Sequence, residues 1–127
     1  MDVSLAAPLS ALNASSVSQQ VTANNLANVN TEEFRASRVT LEDRPGMNGV
    51  AVQEIRQDPE APPAVPSMHL LEQQGRVEQQ PVTVSGSTTD VAREMVNLMV
   101  NQSTYAANVA VARTQDEMVG TVLDTVA

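Results

Sequence analysis

The 127-residue chain contains no cysteine, no tryptophan and no lysine. Without thiols, disulfide scaffolds, thiolate nucleophiles, iron–sulfur clusters and cysteine zinc sites all drop out. The aromatic residues are Phe34 and Tyr105 alone, too few to stack single-stranded nucleic acid. All seven cations are arginine, scattered among 15 acidic residues for a net charge of −8. Such a chain has no basic footprint for phosphates, so nucleic acid is not expected as a partner. No Lys or Arg precedes Arg35, which denies the start of the chain the basic segment of a cleavable secretory leader. No run approaches the ~18 apolar residues that span a bilayer. The expectation is a chain that does not span a membrane and that, if exported, leaves without a cleaved signal peptide.

What is present is helical at both ends. In residues 1–31, Leu5, Leu9, Leu12, Ser16, Gln19, Ala23 and Leu26 recur at alternating steps of four and three, an a/d seam with a polar middle. Ala14, Val17 and Val21 widen its apolar face, and Pro8 fits only in a first helical turn. The pattern predicts a helix over about 8–28, ended by Asn24, Asn25, Asn28 and Asn30, because Asn tolerates the left-handed backbone that closes helices. Residues 88–126 carry an unbroken heptad through Val91, Met95, Leu98, Gln102, Tyr105, Val109, Ala112, Asp116, Val119, Leu123 and Val126. Ser87-x-x-Asp90 reads as its capping box, and Gly120 costs roughly 1 kcal/mol relative to Ala in a helix interior. At ~1.5 Å per residue the helix reaches on the order of 55 Å. A second stripe through Val96, Met99, Val100, Ala107, Ala110, Val111, Met118 and Val122 makes the apolar face broader than one short partner helix can cover.

Between the helices, residues 32–87 hold nearly all the proline and glycine. Phe34–Leu41 and Val50–Ile55 read as short strands joined through Pro45-Gly46-Met47-Asn48-Gly49. The proline-bearing stretch 58–66 reads as an extended arm, and Val82, Thr83 and Val84 as a last short strand. The expected fold class is therefore mainly α. Two long terminal helices pair as an antiparallel, coiled-coil-like hairpin, with a small irregular β-hairpin and a proline-rich arm between them. The expected domains are 1–31 with 88–127 as one discontinuous assembly unit, and 32–87 as an insertion.

Catalytic patterns are missing. His69 has no Cys or second His with which to share a metal and reads as a plain loop residue. The pairs Glu32-Glu33, Glu42-Asp43 and Asp116-Glu117 read as solvated turns or faces. No phosphate-cradling glycine loop or nucleophile elbow occurs. Met95, Met99 and Met118 lie on the helical stripes and read as packing residues. No enzyme activity, metal, cofactor or small-molecule substrate is expected.

Two stretches are more specific than periodicity requires. Ser10-Ala11-Leu12-Asn13-Ala14, leading to Ala23-Asn24-Asn25-Leu26-Ala27-Asn28-Val29-Asn30-Thr31, resembles the amino-terminal signature of the bacterial flagellar rod and hook family. Asp90-Val91-Ala92-Arg93-Glu94-Met95-Val96-Asn97-Leu98, with Gln102, Tyr105, Ala107-Asn108 and Thr114-Gln115-Asp116-Glu117-Met118, resembles its carboxy-terminal signature. Gly49-Val50-Ala51-Val52-Gln53-Glu54-Ile55 with Asp58-Pro59 is similar to the inner segment of the small proximal-rod proteins. Ala11 and Glu33 stand where the family usually has Gly, and Ser103 and Ala106 where it usually has Arg and Glu; a left-handed backbone at Glu33 would be strained.

The resemblance implies a structural subunit of the flagellar basal-body rod, of proximal-rod type, located in the periplasmic rod. It implies polymerisation through the terminal helices into a hollow tube that transmits torque. The implied partners are copies of the chain, other rod or hook-family subunits, and the flagellar export apparatus. Asn24, Asn25 and Asn28 would shape the helix end, and Met95, Leu98, Tyr105, Val109 and Val119 would fill the inter-helix seam. Leu12, Val17, Val21, Leu26, Val91, Met118 and Leu123 would extend that interface. Asn108 and Asp116 sit beside the seam, either as cross-subunit hydrogen-bonding groups or as solvated helix face. An autonomous helical-hairpin adaptor or export chaperone is the alternative.

Overall fold

The computed structural model describes residues 5–46 and 48–126. The element order is α1 (Ala6–Ala27), β1 (Ser37–Asp43), β2 (Val50–Gln57), β3 (Ala64–Gln73), β4 (Arg76–Ser85) and α2 (Val91–Val126). α1 spans 22 residues and α2 spans 36, about 33 and 54 Å at the helical rise. Pro8 occupies the first turn of α1, where its missing N–H is one the helix could not have used. The helix ends at Asn28, whose N–H reaches the carbonyls of Asn24 and Asn25 and whose side-chain amide also donates to the Asn24 carbonyl at 2.9 Å. α2 begins after Asp90, whose carboxylate accepts from the Arg93 N–H at 3.2 Å. Asp90 is thus the cap, and the expected Ser87 capping box is not formed; Ser87 Oγ instead accepts from the Thr89 N–H at 3.1 Å.

The mainly α, coiled-coil-like architecture is overturned, because two antiparallel β-hairpins stand between the helices. β1 pairs with β2 from Ser37↔Gln57 to Asp43↔Val50, with Gln53 as the extra residue of a bulge near Thr40 and Leu41. Of the connecting segment, Met47 lies outside the described residues; the loop is closed by the Arg44 N–H donating to the Gly49 carbonyl at 2.9 Å. β3 pairs with β4 from Ala64↔Ser85 to Gln73↔Arg76. This hairpin absorbs the end of the expected proline arm, the expected loop around His69 and the expected short strand at Val82–Val84. Pro66 and Pro81 fall in pairs two residues apart, Pro66↔Thr83 and Met68↔Pro81. They share one parity of the ladder, so both lacking N–H groups fit positions that point away from the partner strand. Gln74 and Gly75 both have positive φ, 52° and 78°, which matches a two-residue turn to the twist of the strands.

The β1–β2 hairpin lies against α1, and α1 lies against α2, whereas β3–β4 packs on none of the other elements. The helices run antiparallel: Val21 and Thr22 share a cavity wall with Glu94 and Asn97, and Pro8 and Ala11 share one with Asn108 and Gln115. Among the described residues the buried apolar side chains are small, namely Pro8, Ala14 and Ala36. A compact monomer of this mass exposes about 6,500 Å²; this chain exposes 9151 Å².

Candidate assembly interface

Four segments meet at the end of α1. The Asn25 side chain, 1 % exposed, donates from Nδ2 to the Ser37 carbonyl and accepts through Oδ1 from the Ser37 N–H, each at 2.8 Å. A carboxamide suits this task because it offers a donor and an acceptor side by side, as a backbone edge does. The Asn25 carbonyl accepts from Thr89 Oγ1 at 3.1 Å, and Thr88 Oγ1 accepts from the Ala36 N–H at 2.8 Å. The Thr88 N–H donates to the Phe34 carbonyl, and the Asp58 N–H to the Ala36 carbonyl. The start of β1 and the approach to α2 are thereby bonded to one residue of α1, and the end of β2 is joined to them through Ala36. Thr88 and Thr89 were not among the expected site residues; their signal was two adjacent hydroxyls directly before a helix cap.

Along α2 the side turned to the rest of the chain is polar. Glu94 is 2 % exposed, and Asn97, Leu98, Asn101, Asn108, Ala112 and Gln115 are partly covered. Compared with the expected seam this set is shifted by one residue, from Met95 to Glu94, Leu98 to Asn97, Gln102 to Asn101, Val109 to Asn108 and Asp116 to Gln115. One residue is about 100° of rotation on a helix of 3.6 residues per turn. Leu98 and Ala112 alone among the heptad residues stay partly covered. Val91, Met95, Tyr105, Val109, Asp116, Met118, Val119 and Leu123 are exposed in the single chain. On α1, Leu12, Val17, Val21, Leu26 and Asn28 are half-buried, Asn25 is buried and Asn24 is exposed. The coiled-coil pairing failed for a physical reason: the surface opposite α2 consists of Ser18, Thr22, Ser37 and Arg38 as much as of Val21 and Val39, so polar side chains match it better than Met and Val do.

The turn after α1 carries the second hairpin. Glu33 has φ 57°, so the left-handed conformation is kept although a Cβ is present. Its N–H donates to the Ser85 carbonyl at 2.8 Å. Glu32 accepts from the His69 ring, Nε2 to Oε1 at 2.8 Å. That bond first, and the Ser67 hydroxyl second, hold the Glu32 carboxyl below its usual value of 4.5. His69 therefore sits on a strand and ties β3 to the turn, rather than standing in a loop. A close approach fixes the first hairpin to α1: Ser10 Oγ donates to the Ala7 carbonyl at 2.8 Å and accepts from the Val50 N–H at 3.1 Å. A Cβ on the adjacent Gly49 would collide with Ser10.

Among the described residues no cluster of three or more metal-ligating side chains occurs, and no helix is long and apolar enough to cross a membrane. A small core, a hydrogen-bonded junction and an outward-facing apolar helix surface make the outer face of α2 the candidate assembly surface of the chain. The family models agree. Residues 6–35 match the flagella basal body rod protein family, and residues 73–125 match the C-terminal region of the flagellar basal body rod FlgEFG proteins. The chain belongs to the flagellar basal-body rod proteins, which places it in the flagellar basal body. No curated protein matches it closely enough to count as a relative.

Proposed function

We propose that the chain is a proximal-rod-type subunit that joins copies of itself and other rod or hook-family subunits in a hollow helical tube. Its terminal segments, 1–31 and 88–127, act as one assembly unit, and 32–87 forms the insertion between them. The rod it builds crosses the periplasm and transmits torque, and the flagellar export apparatus delivers the subunit. The observation that carries this reading is the outward face of α2. Met95, Met99, Val109, Val119 and Leu123 are exposed on a helix whose inward face is already filled by polar side chains. Burial of apolar area at ~25 cal/mol per Å² makes such a face a strong driver of association. Two-sided coverage of a helix is what a tube wall of repeated, non-closing contacts provides.

Sedimentation of the purified full chain over a concentration series tests the proposal. Assembly that rises with concentration and falls in Tyr105→Ala, with solubility unchanged, is the expected result. A monomer at every concentration whose helices resist amide exchange would instead mark a self-sufficient adaptor.

A further inference from the structure

Glu94 is the one buried residue of α2 among the described residues. It is 2 % exposed, yet among the described residues no hydrogen bond or ion pair reaches its carboxylate. It lines a cavity of about 250 Å³ between α1, β1 and α2, together with Ser18, Thr22, Arg38, Asn97 and Asn101. Arg38 is engaged elsewhere, 3.5 Å from Asp58. The side-chain amides of Asn97 and Asn101 also have no partner among the described residues. A carboxylate this little exposed and held by no hydrogen bond among the described residues favours a cation beside it, and Arg38, which lines the same cavity, is turned to Asp58.

We infer that this cavity is a socket for an arginine side chain of a second copy of the chain. One carboxylate flanked by amide and hydroxyl oxygens suits a planar, multidentate donor, since a guanidinium presents five N–H groups in a fixed fork. A divalent cation would want more than one carboxylate. The supply matches the demand: every cation in the chain is arginine. Arg38, Arg56 and Arg113 are held by acids of their own chain, whereas Arg35, Arg44, Arg76 and Arg93 form no ion pair among the described residues. The inference rests on the rod reading for its source of arginine, but the socket itself belongs to the single chain.

Two arms separate the two ideas. In the first, the full chain is titrated with ethylguanidinium while the side-chain amide resonances of Asn97 and Asn101 are followed by NMR. Saturable shifts that vanish in Glu94→Gln are expected. No shift, an equal shift in the variant, or a larger response to calcium would overturn the socket. So would guanidinium binding that appears only in Arg38→Gln, since Arg38 would then fill the site within one chain. In the second arm, Glu94→Gln is expected to melt no lower than the wild type and yet raise the concentration needed for assembly about tenfold or more. One of Arg35→Gln, Arg44→Gln, Arg76→Gln and Arg93→Gln should reproduce that loss and add nothing when combined with Glu94→Gln. Wild-type assembly that is unaffected by Glu94→Gln overturns the socket and leaves the rod reading standing. A wild type that never assembles overturns the rod reading, and the titration alone then decides the socket.

Discussion

The two hairpins of this chain are similar in construction and opposite in attachment. β1–β2 is seated on α1, stitched at one end by Asn25 to Ser37 and at the other by Ser10 to Val50. β3–β4 has longer strands, yet packs on no helix and hangs from the turn after α1 through Glu33–Ser85 and Glu32–His69. A two-stranded ladder gains little by itself in water. What separates the pair is therefore the neighbouring surface each is given, and the second hairpin's Met68, Leu70 and Val77 stay open.

The contrast is sharpest at Asn25. Asn25→Ala strands the Ser37 N–H and carbonyl in a closed site, and should lower stability by about 2–4 kcal/mol, read as a shift of the urea midpoint. His69→Ala, the corresponding cut beneath the second hairpin, should leave that midpoint in place and change only the β3–β4 resonances. A pair of glycine substitutions repeats the test. Gly49→Ala drives a methyl into Ser10 and should cost about 1–3 kcal/mol, partly recovered in Ser10→Ala/Gly49→Ala. At Gly75 nothing lies within 4 Å and φ is +78°, so Gly75→Ala should cost about 1 kcal/mol of backbone strain, visible as faster amide exchange in β3–β4 alone.

Smaller effects are expected in the connecting turn. Glu33→Gly removes a left-handed Cβ and should stabilise the chain by up to about 1 kcal/mol, offset in part by the freer unfolded chain; a melting curve reads the sign. Because the Glu32 carboxyl is held below 4.5 in the folded chain, its bond to His69 contributes above that pH. The contribution is lost as pH falls through the lowered value. Chemical shifts of the second hairpin should move in that acidic window, and stay flat in Glu32→Gln.

Legibility in the sequence followed how local each feature is. The bounds of α1 fell close to expectation because Pro8 and the run of Asn24, Asn25 and Asn28 punctuate its ends. The first hairpin was readable from its alternating Val39, Leu41, Val50 and Val52 and its Pro45–Gly49 loop. The second was not, since Pro66 and Pro81 argue against strands and its outer face needs no apolar pattern in a single chain. The only cue was Gly75 after a polar residue, flanked by Leu70, Leu71 and Val77. Most instructive is α2, where the heptad marked a face correctly as apolar and incorrectly as inward. Periodicity reports that a stripe must be covered, not which molecule covers it. The polar inward side, with Glu94 among it, depends on Ser18, Thr22 and Ser37, which lie more than 50 residues away in sequence.

The junction around Asn25 also sets an order of events. Its bonds join residues 12, 52 and 64 positions apart, and the longest of them await Thr88 and Thr89, at the threshold of the last helix. Closing loops of that length is slow relative to winding a helix. A growing chain can therefore coil α1, zip its first hairpin and stitch the two through Asn25–Ser37 and Ser10–Val50 early, but the bonds of Thr88 and Thr89 wait until its last third has arrived. The fold behaves as a drawstring bag: gathered by its first half, and drawn shut by the segment that leads into its last helix.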